Sequence, residues 1–539
     1  MAGLAAAFGS GAMTNSIDEV ENADCLLISG SNTTEAHPVI GYRVRKALRN
    51  GAKLIVIEPR RIELADYADV FLQIKPGANE AIFNGLLHVI IKEDLYDKEF
   101  VAERTEGFEE VKAAVEKYTP EYVAEITGAN AEDIVEAARI YAAADKASVL
   151  YTMGITQHSS GTNNVLAIAN LVMATGNIGR ESTGMNPLRG QNNVQGACDM
   201  GALPVVFTGY QPVVDPAAVE KFSKAWGVSL NDKPGLTVTE IFKGAKDGTV
   251  KAVYIMGENP MISDADLNHL EESLDKLDFL VVQDIFLTET AQYADVVLPA
   301  CTFAEKDGTF VNTERRVQMV NKAIDSIGES KADWEIIMAL ANKLGFDWNY
   351  GSAEDIFKEI TSLTPSYAGI SYQRLEEEEG IQWPCPTEDH PGTKFLHQGK
   401  FSRGLGKFHP IEHQPPAESP DENYPFILTT GRNLYHYHTA SMTGRSKSIK
   451  EFSAEDTLRI NPEDAANLGV SDGDMLKVTS RRGEIEVKAE ITDTVGKGVV
   501  FMTFHFSDSP VNKLTNCAID PVAKIPELKV SAVKVEKVA

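Results

Sequence analysis

The segment ELADYADVFL at 63–72 returns as ETAQYADVVL at 289–298. The return extends beyond that segment. DCLLISG (24–30) has its counterpart in KAVYIMGENP (251–260), and KLIVIEPR (53–60) has one in DFLVVQDIF (278–286). Gly30 thereby matches Gly257, and Tyr67 matches Tyr293. Short apolar runs bounded by glycine are the pattern of buried parallel strands. Between the first two runs lies a helical pattern, HPVIGYRVRKALRNG (37–51), with Gly51 placed as its stop. A β-α-β unit written twice confines the chain to two related α/β domains, each with a crevice at the carboxyl ends of its strands. Such crevices favour a nucleotide, and two favour a ligand with two nucleotide ends.

The remainder fits around that repeat. ADVFLQIKPG (68–77) reads as a third strand and Ser148–Met153 as a further one, with helices expected at 80–94, 108–117, 131–144 and 163–176. From 346 to 423 the pattern weakens, and LEEEEG with the proline-rich IEHQPPAESPDENYP reads as connecting chain. Residues 424–539 turn β-rich, with Gly and Asp at the turns, as a compact barrel requires. The expected division is 1–190 and 191–345 for the two α/β domains, 346–423 for the connector and 424–539 for the barrel. At 539 residues the chain is too long for one core.

Charge and composition exclude several partners. A net charge of −27 repels phosphate, which argues against nucleic acid and anionic membranes, although solubility alone accounts for it. No apolar run of about 18 residues is available to span a membrane. The start, MAGLAAAFGSGAMTNS, lacks a basic segment followed by a sustained apolar core, so the expected compartment is the cytoplasm. Cys25, Cys198, Cys301, Cys385 and Cys517 are scattered, which fits reduced thiols rather than a disulfide framework, a zinc site or an iron–sulfur cluster.

Chemistry concentrates in a few places. GSGAMT (9–14) lacks the third glycine and preceding strand of a nicotinamide-dinucleotide fingerprint. His436 and His438, two apart, would face one side of a strand, yet no third ligand accompanies them and a cofactor-groove or surface role fits better. His158 in MGITQHSSG is a weak candidate base. Glu58 ends the second strand, placed to accept from a ribose or guanine edge, and Arg60 beside it can meet phosphate. An isolated EPRR would read as a surface turn; Asp284, after Gln283, holds the matching place in the repeat and reverses that judgement. NPLRGQNNVQGACDMG (186–201) gathers five side-chain amides around one guanidinium, Arg189, with Asp199 its one carboxylate.

These residues carry a family resemblance. GSGAMTNSI, IEPRR, YADVFLQIKPGANEAI, MGITQHSSG, NPLRGQNNVQGACDMGALP, YIMGENP, QDIFLTETAQYADVVLPA, GTFVNTERRVQ, IQWPCP and INPEDAANLGVSDGD match along the whole chain. The sequence resembles the catalytic subunits of molybdenum- or tungsten-dependent formate dehydrogenases, within the dimethyl-sulfoxide-reductase superfamily. RGQNNVQGACDMG and IQWPCP mark the formate branch; ADVVLP and NTERRVQ mark the superfamily.

The resemblance implies two doubly wound parallel-sheet domains and a C-terminal β-barrel of double-psi type. A bis-(molybdopterin guanine dinucleotide) cofactor would lie between the two α/β domains. Gly30, Asn32, Glu58, Arg60, Gly77 and Asn79 would line one dinucleotide arm. Met153, Gly154, Gln157, Gly190 and Gln191 would add to cofactor binding. Met256, Gly257, Asn259, Gln283 and Asp284 would line the other arm. Thr430, Arg432, Ser441, Met442, Asn512 and Lys529 would reach pterin and phosphates from the barrel. Arg189 matches the family's substrate-orienting arginine, whose planar fork can hold both oxygens of formate. The amides around it hydrogen-bond without repelling an anion, and Asp199 is expected to cap or orient a following helix.

The family's metal-binding selenocysteine or cysteine, with its adjacent catalytic histidine, lies just upstream of the segment matched by Met1-Ala2-Gly3-Leu4. The cysteines of a 4Fe–4S cluster lie further upstream. The sequence is therefore expected to be the part of such a protein downstream of an in-frame UGA codon, inactive by itself. Electrons would leave through that cluster to a partner subunit carrying flavin, deazaflavin or iron–sulfur centres. Another molybdopterin enzyme, such as a nitrate reductase, is the rival of the same class; a non-catalytic cofactor-binding scaffold is the rival of another.

Overall fold

The computed structural model describes residues 1–538. Two compact units form. The first comprises Met1–Gly190, Ile262–Asn268 and the chain from Phe395 onward; the second comprises Gln191–Met261 and His269–Lys394.

In the first unit, β1 (Cys25–Ser29), β2 (Lys53–Glu58), β3 (Val70–Gln73), β4 (Ala147–Tyr151) and β5 (Gly184–Pro187) make one parallel sheet. Its order is β3-β2-β1-β4-β5, so the winding reverses between β1 and β4. Strand side chains alternate between two cores. Leu26, Ile28, Leu54 and Val56 meet Ile40, Val44 and Ala47 of α1 (Pro38–Arg49) on one face. Leu27, Ile55, Ile57 and Val149 meet α2 (Asn79–Lys92), α3 (Ala131–Ala143) and α4 (Gly161–Ala174) on the other. Covered faces explain why these strands read as continuous apolar runs. Helices also form at Lys98–Arg104 and Pro120–Thr127, which the sequence reading did not separate. Both are short, yet their caps were visible: Asp97 accepts from Phe100 N, and Thr119 accepts from Tyr122 N just before Pro120.

The second unit begins with α5 (Val194–Asp199) and holds the repeat: β6 (Ala252–Met256), β7 (Phe279–Asp284) and β8 (Val296–Pro299), parallel in the order β8-β7-β6. The repeat is preserved at the level of single hydrogen bonds. Asp69 Oδ2 accepts from Leu54 N at 2.8 Å, and Asp295 Oδ2 accepts from Leu280 N at 2.7 Å. Gly30 N donates to Ile57 O, and Gly257 N donates to Gln283 O. A hairpin follows, β9 (Gly308–Val311) with β10 (Arg316–Val320), and β11 (Ile381–Gln382) pairs with β10. The stretch expected as connecting chain thus holds β11 and helices at Ala353–Leu363 and Tyr372–Glu377. Its acidic, proline-containing composition hid elements too short to set a period.

Back in the first unit, β12 (Phe426–Gly431), β13 (Thr457–Ile460), β14 (Met475–Thr479), β15 (Glu484–Ile491), β16 (Val499–Thr503) and β17 (Ser531–Lys537) close a six-stranded barrel. Leu428, Leu458, Leu476, Val478, Val500 and Val533 fill it. Among the described residues no helix is long and apolar enough to cross a membrane.

Candidate functional site

The carboxyl ends of β1, β2, β4 and β5 gather the first group of expected residues. Gly30 follows β1 in the left-handed region (φ 57°), and Gly154 follows β4. The two backbones touch at the switch point: Gly154 N donates to Gly30 O at 3.1 Å, and Thr152 Oγ1 donates to the same oxygen. A Cβ on Gly30 would lie 2.7 Å from the Gly154 carbonyl carbon, so only glycine permits the approach. Asn79 opens α2 beneath them, its Nδ2 3.2 Å from His158 Nε2, which also lies 2.8 Å from Gly154 O. Burial lowers the His158 pKa, and Nδ1 finds no protein partner. Gly77 (φ 89°) lies under Pro416.

Charges converge from the sheet and the barrel. Glu58 is 5 % exposed, and burial pushes its carboxyl up to about 7 against the pull of Arg60 and the Ser31 backbone N–H. The Arg60 guanidinium lies over the Phe501 ring of β16 at 3.7 Å from the centroid. Arg61 N donates to Thr494 O at 2.7 Å, tying the end of β2 to the barrel. Lys529 Nζ donates to Thr430 O at 2.8 Å; burial, then Arg432 and Arg60, bring its pKa down to about 7. Two guanidiniums, one amine and one carboxyl are thus drawn together out of water. That donor set suits a phosphate-bearing anion.

Arg189 follows β5 at the same edge. His37 Nε2 lies 2.6 Å from the Arg189 carbonyl oxygen, and burial holds the His37 imidazole below its ordinary pKa. Arg189 Nη2 donates to Gly11 O at 3.3 Å, which brings the GSGAMTNS segment beside it. A Cβ on Gly190 would lie 2.6 Å from Arg432 Nη2, so the barrel arginine packs against this loop. Asn32 Oδ1 accepts from Thr34 Oγ1 at 3.3 Å and Gln157 N donates to Met153 O at 2.9 Å, while Met153 is 40 % exposed.

The remaining barrel residues lie apart from that cluster in chemistry. Asn512 Nδ2 donates to Ile262 O at 2.8 Å, Ser441 Oγ lies 2.9 Å from Thr439 Oγ1, and Met442 is exposed. His436 and His438 occupy an irregular loop after β12 rather than a strand. His436 is bound by Ser453 O and Thr443 Oγ1, and His438 O accepts from His505 Nδ1. Strand geometry, the reason for pairing them, is absent there. No group of three His, Cys, Asp or Glu that could hold a metal occurs among the described residues.

In the second unit, Gly257 (φ 64°) and Met256, 48 % exposed, end β6. Asp284 Oδ1 accepts from Ile285 N at 2.7 Å and Phe286 N at 3.3 Å, bending the carboxylate onto its own turn. Gln283 is fully buried; its Nε2 donates to Asp333 Oδ1 at 2.7 Å, and its Oε1 accepts from Tyr254 OH. Asn259 Oδ1 accepts from Thr290 N and Oγ1, and Nδ2 donates to Glu289. Gln191 is half-buried ahead of α5.

Asp199 requires a correction. It is the last residue of α5, not the cap of a following helix, and it is fully buried. Oδ1 accepts from Gln195 Nε2 at 2.8 Å and Tyr210 OH at 2.7 Å; Oδ2 accepts from Trp383 Nε1 at 2.7 Å and from Tyr367 OH. The two motifs assigned to the formate branch therefore meet at one carboxylate. Sequence reasoning also missed His37 and Phe501, whose partners are remote along the chain, and no local pattern announces either.

A glycine-lined switch point, a cationic cluster and a barrel closing over strand ends define a dinucleotide-cofactor-binding α/β protein. Residues 3–343 match the molybdopterin oxidoreductase family, and residues 426–532 match the molydopterin dinucleotide binding domain. The F420-dependent formate dehydrogenase subunit alpha of Methanocaldococcus jannaschii is 56 % identical, over 99 % of this chain and 80 % of that protein. Formate dehydrogenase H of Escherichia coli is 43 % identical, over 100 % of this chain and 76 % of that protein. The chain belongs to the molybdopterin oxidoreductase family, in the group of formate dehydrogenase alpha subunits. Acetylene hydratase from Pelobacter acetylenicus shares the fold, with a TM-score of 0.78 at 21 % identity over 99 % of this chain and 80 % of that one.

Proposed function

We propose that this chain forms the catalytic part of an enzyme oxidising formate to CO₂, a proton and two electrons, with two molybdopterin guanine dinucleotides holding molybdenum or tungsten. The observation that carries the reading lies within the first unit: Arg189, pinned through His37, shares a sheet edge with the buried cluster of Glu58, Arg60, Arg432 and Lys529. That cluster and the Gly30–Gly154 contact fit one dinucleotide arm, with the phosphates answering the crowded cations. When bound, the metal–pterin group supplies the two-electron acceptor. Arg189 grips both oxygens of formate and fixes the direction of its C–H bond, while Gln191 and its neighbouring amides donate without adding negative charge.

The metal's protein ligand and a 4Fe–4S cluster are taken to come from polypeptide outside this sequence, and turnover is expected only with both in place. The F420 dependence in the name of the Methanocaldococcus jannaschii relative supports a deazaflavin-linked electron acceptor; we further propose that a partner subunit carries it and that the setting is cytoplasmic. The test is Arg189→Gln in the assembled enzyme. Formate-dependent dye reduction, as kcat/KM, is expected to fall about a thousandfold while metal and pterin content stay constant. Undiminished turnover, or a wild-type protein that takes up no pterin, overturns the reading.

A further inference from the structure

The amide run after Arg189 is held inside the second unit by a closed circuit of contacts. Asn193 Oδ1 accepts from Val311 N, the last residue of β9, at 2.9 Å. β9 pairs with β10, and β10 pairs with β11, which leads directly into Trp383. Trp383 Nε1 donates to Asp199, and α5 runs from Asp199 back to Asn193. Arg315, fully buried, braces the Trp383 side: its guanidinium donates to the carbonyl oxygens of Trp383, Thr393 and Lys394. Gly196 completes the fit, because a Cβ there would lie 2.2 Å from Asn193 Oδ1.

Four donors meet at the Asp199 side chain: Gln195 of α5, Tyr210, Tyr367 and Trp383. Each oxygen accepts two hydrogen bonds, and two of the four donors, Trp383 Nε1–H and the Gln195 amide, have no hydroxyl with which to reverse the bond. A neutral carboxyl could pass its proton only to the Tyr210 or Tyr367 oxygen, and that hydroxyl would then have to turn its own proton elsewhere. Burial pushes the Asp199 carboxyl pKa up against the pull of these four donors, and the four bonds together use it as an acceptor only.

We infer that Asp199 is a positioning residue for the substrate: its carboxylate locks α5 to the Trp383 segment and so fixes Gln191–Asn193, the amides that follow Arg189. This rests on the formate reading above. Loosening the lock should disperse the amides and weaken formate binding while leaving the chemical step, which belongs to the metal–pterin group, nearly intact.

The experiment uses the assembled holoenzyme with Asp199→Asn, Tyr367→Phe and, in parallel, Arg189→Gln. Asp199→Asn is expected to raise KM for formate about tenfold with kcat within about threefold. Tyr367→Phe, which removes one hydroxyl and keeps the ring, should raise KM about threefold and carries the test if the first variant does not fold. Hydrogen exchange, read without turnover, should quicken at 194–199 and 381–386 in both variants. An unchanged KM with a lowered Tm makes Asp199 merely structural and overturns the inference. If Arg189→Gln leaves KM and kcat unchanged, the formate reading itself fails.

Discussion

The two copies of the repeat share their backbone and differ in how their strand ends are finished. At β1 and β2, Gly30 is pressed against Gly154 of the next strand's loop, and Glu58 is buried beside an arginine stacked on the barrel. At β6 and β7, Gly257 faces open space, and Asp284 folds onto its own turn. The sheet order explains the difference: β1 lies between β2 and β4, whereas β6 ends its sheet. A duplicated scaffold thus provides one prebuilt crevice and one open edge. What distinguishes them comes from neighbours that lie outside the repeated sequence.

Alanine at the two matched glycines should break the symmetry most sharply. Gly30→Ala adds a methyl against backbone in a left-handed conformation and is expected to cost about 4 kcal/mol or prevent folding. Gly257→Ala meets open space and should cost only the conformational share, about 1 to 2 kcal/mol. Equal losses on denaturant melting would mean that the Gly30–Gly154 contact is unimportant.

The crowded charges of the first crevice make a smaller, pH-dependent signature in the cofactor-free chain. Between pH 4.5 and 7 the fold keeps a proton on Glu58 that the unfolded chain has released, so stability falls as pH rises. Between 7 and 10.5 the unfolded chain keeps a proton on Lys529 that the fold has released, so stability recovers. Together they place a minimum near pH 7, on the order of 3 kcal/mol deep. Glu58→Gln with Lys529→Met should flatten it in melts across this range; a profile unaltered by the double change counts against the cluster.

The smallest effect tests what the copies have in common. Asp69→Ala and Asp295→Ala each remove the acceptor for one strand N–H and should each cost about 1 kcal/mol. A loss confined to one site would show that the bond-for-bond likeness does not extend to energetics.

The repeat, its parallel strands and the barrel were legible because each rests on local pattern: alternation, apolar runs and glycine stops. Helices at 79–92, 131–143 and 161–174 fell near their expected bounds for the same reason. The site was legible only in part. Glu58 and Asp284 could be paired by position, but their burial could not, since Arg60 meets Phe501 from the far end of the chain. Asp199 shows the same limit. Asp199 and one donor, Gln195, are written in one motif, but the other three donors lie in other segments, and no local rule connects Tyr210, Tyr367 and Trp383 to it.

The first unit is assembled from the beginning and the end of the polypeptide, with most of the second encoded between. On a ribosome adding roughly 5 to 20 residues each second, Arg60 waits on the order of half a minute to a minute and a half before Lys529 is synthesised. During that interval the nascent crevice stands without its lid. The crevice can therefore be completed only after the polypeptide of the second unit has been made.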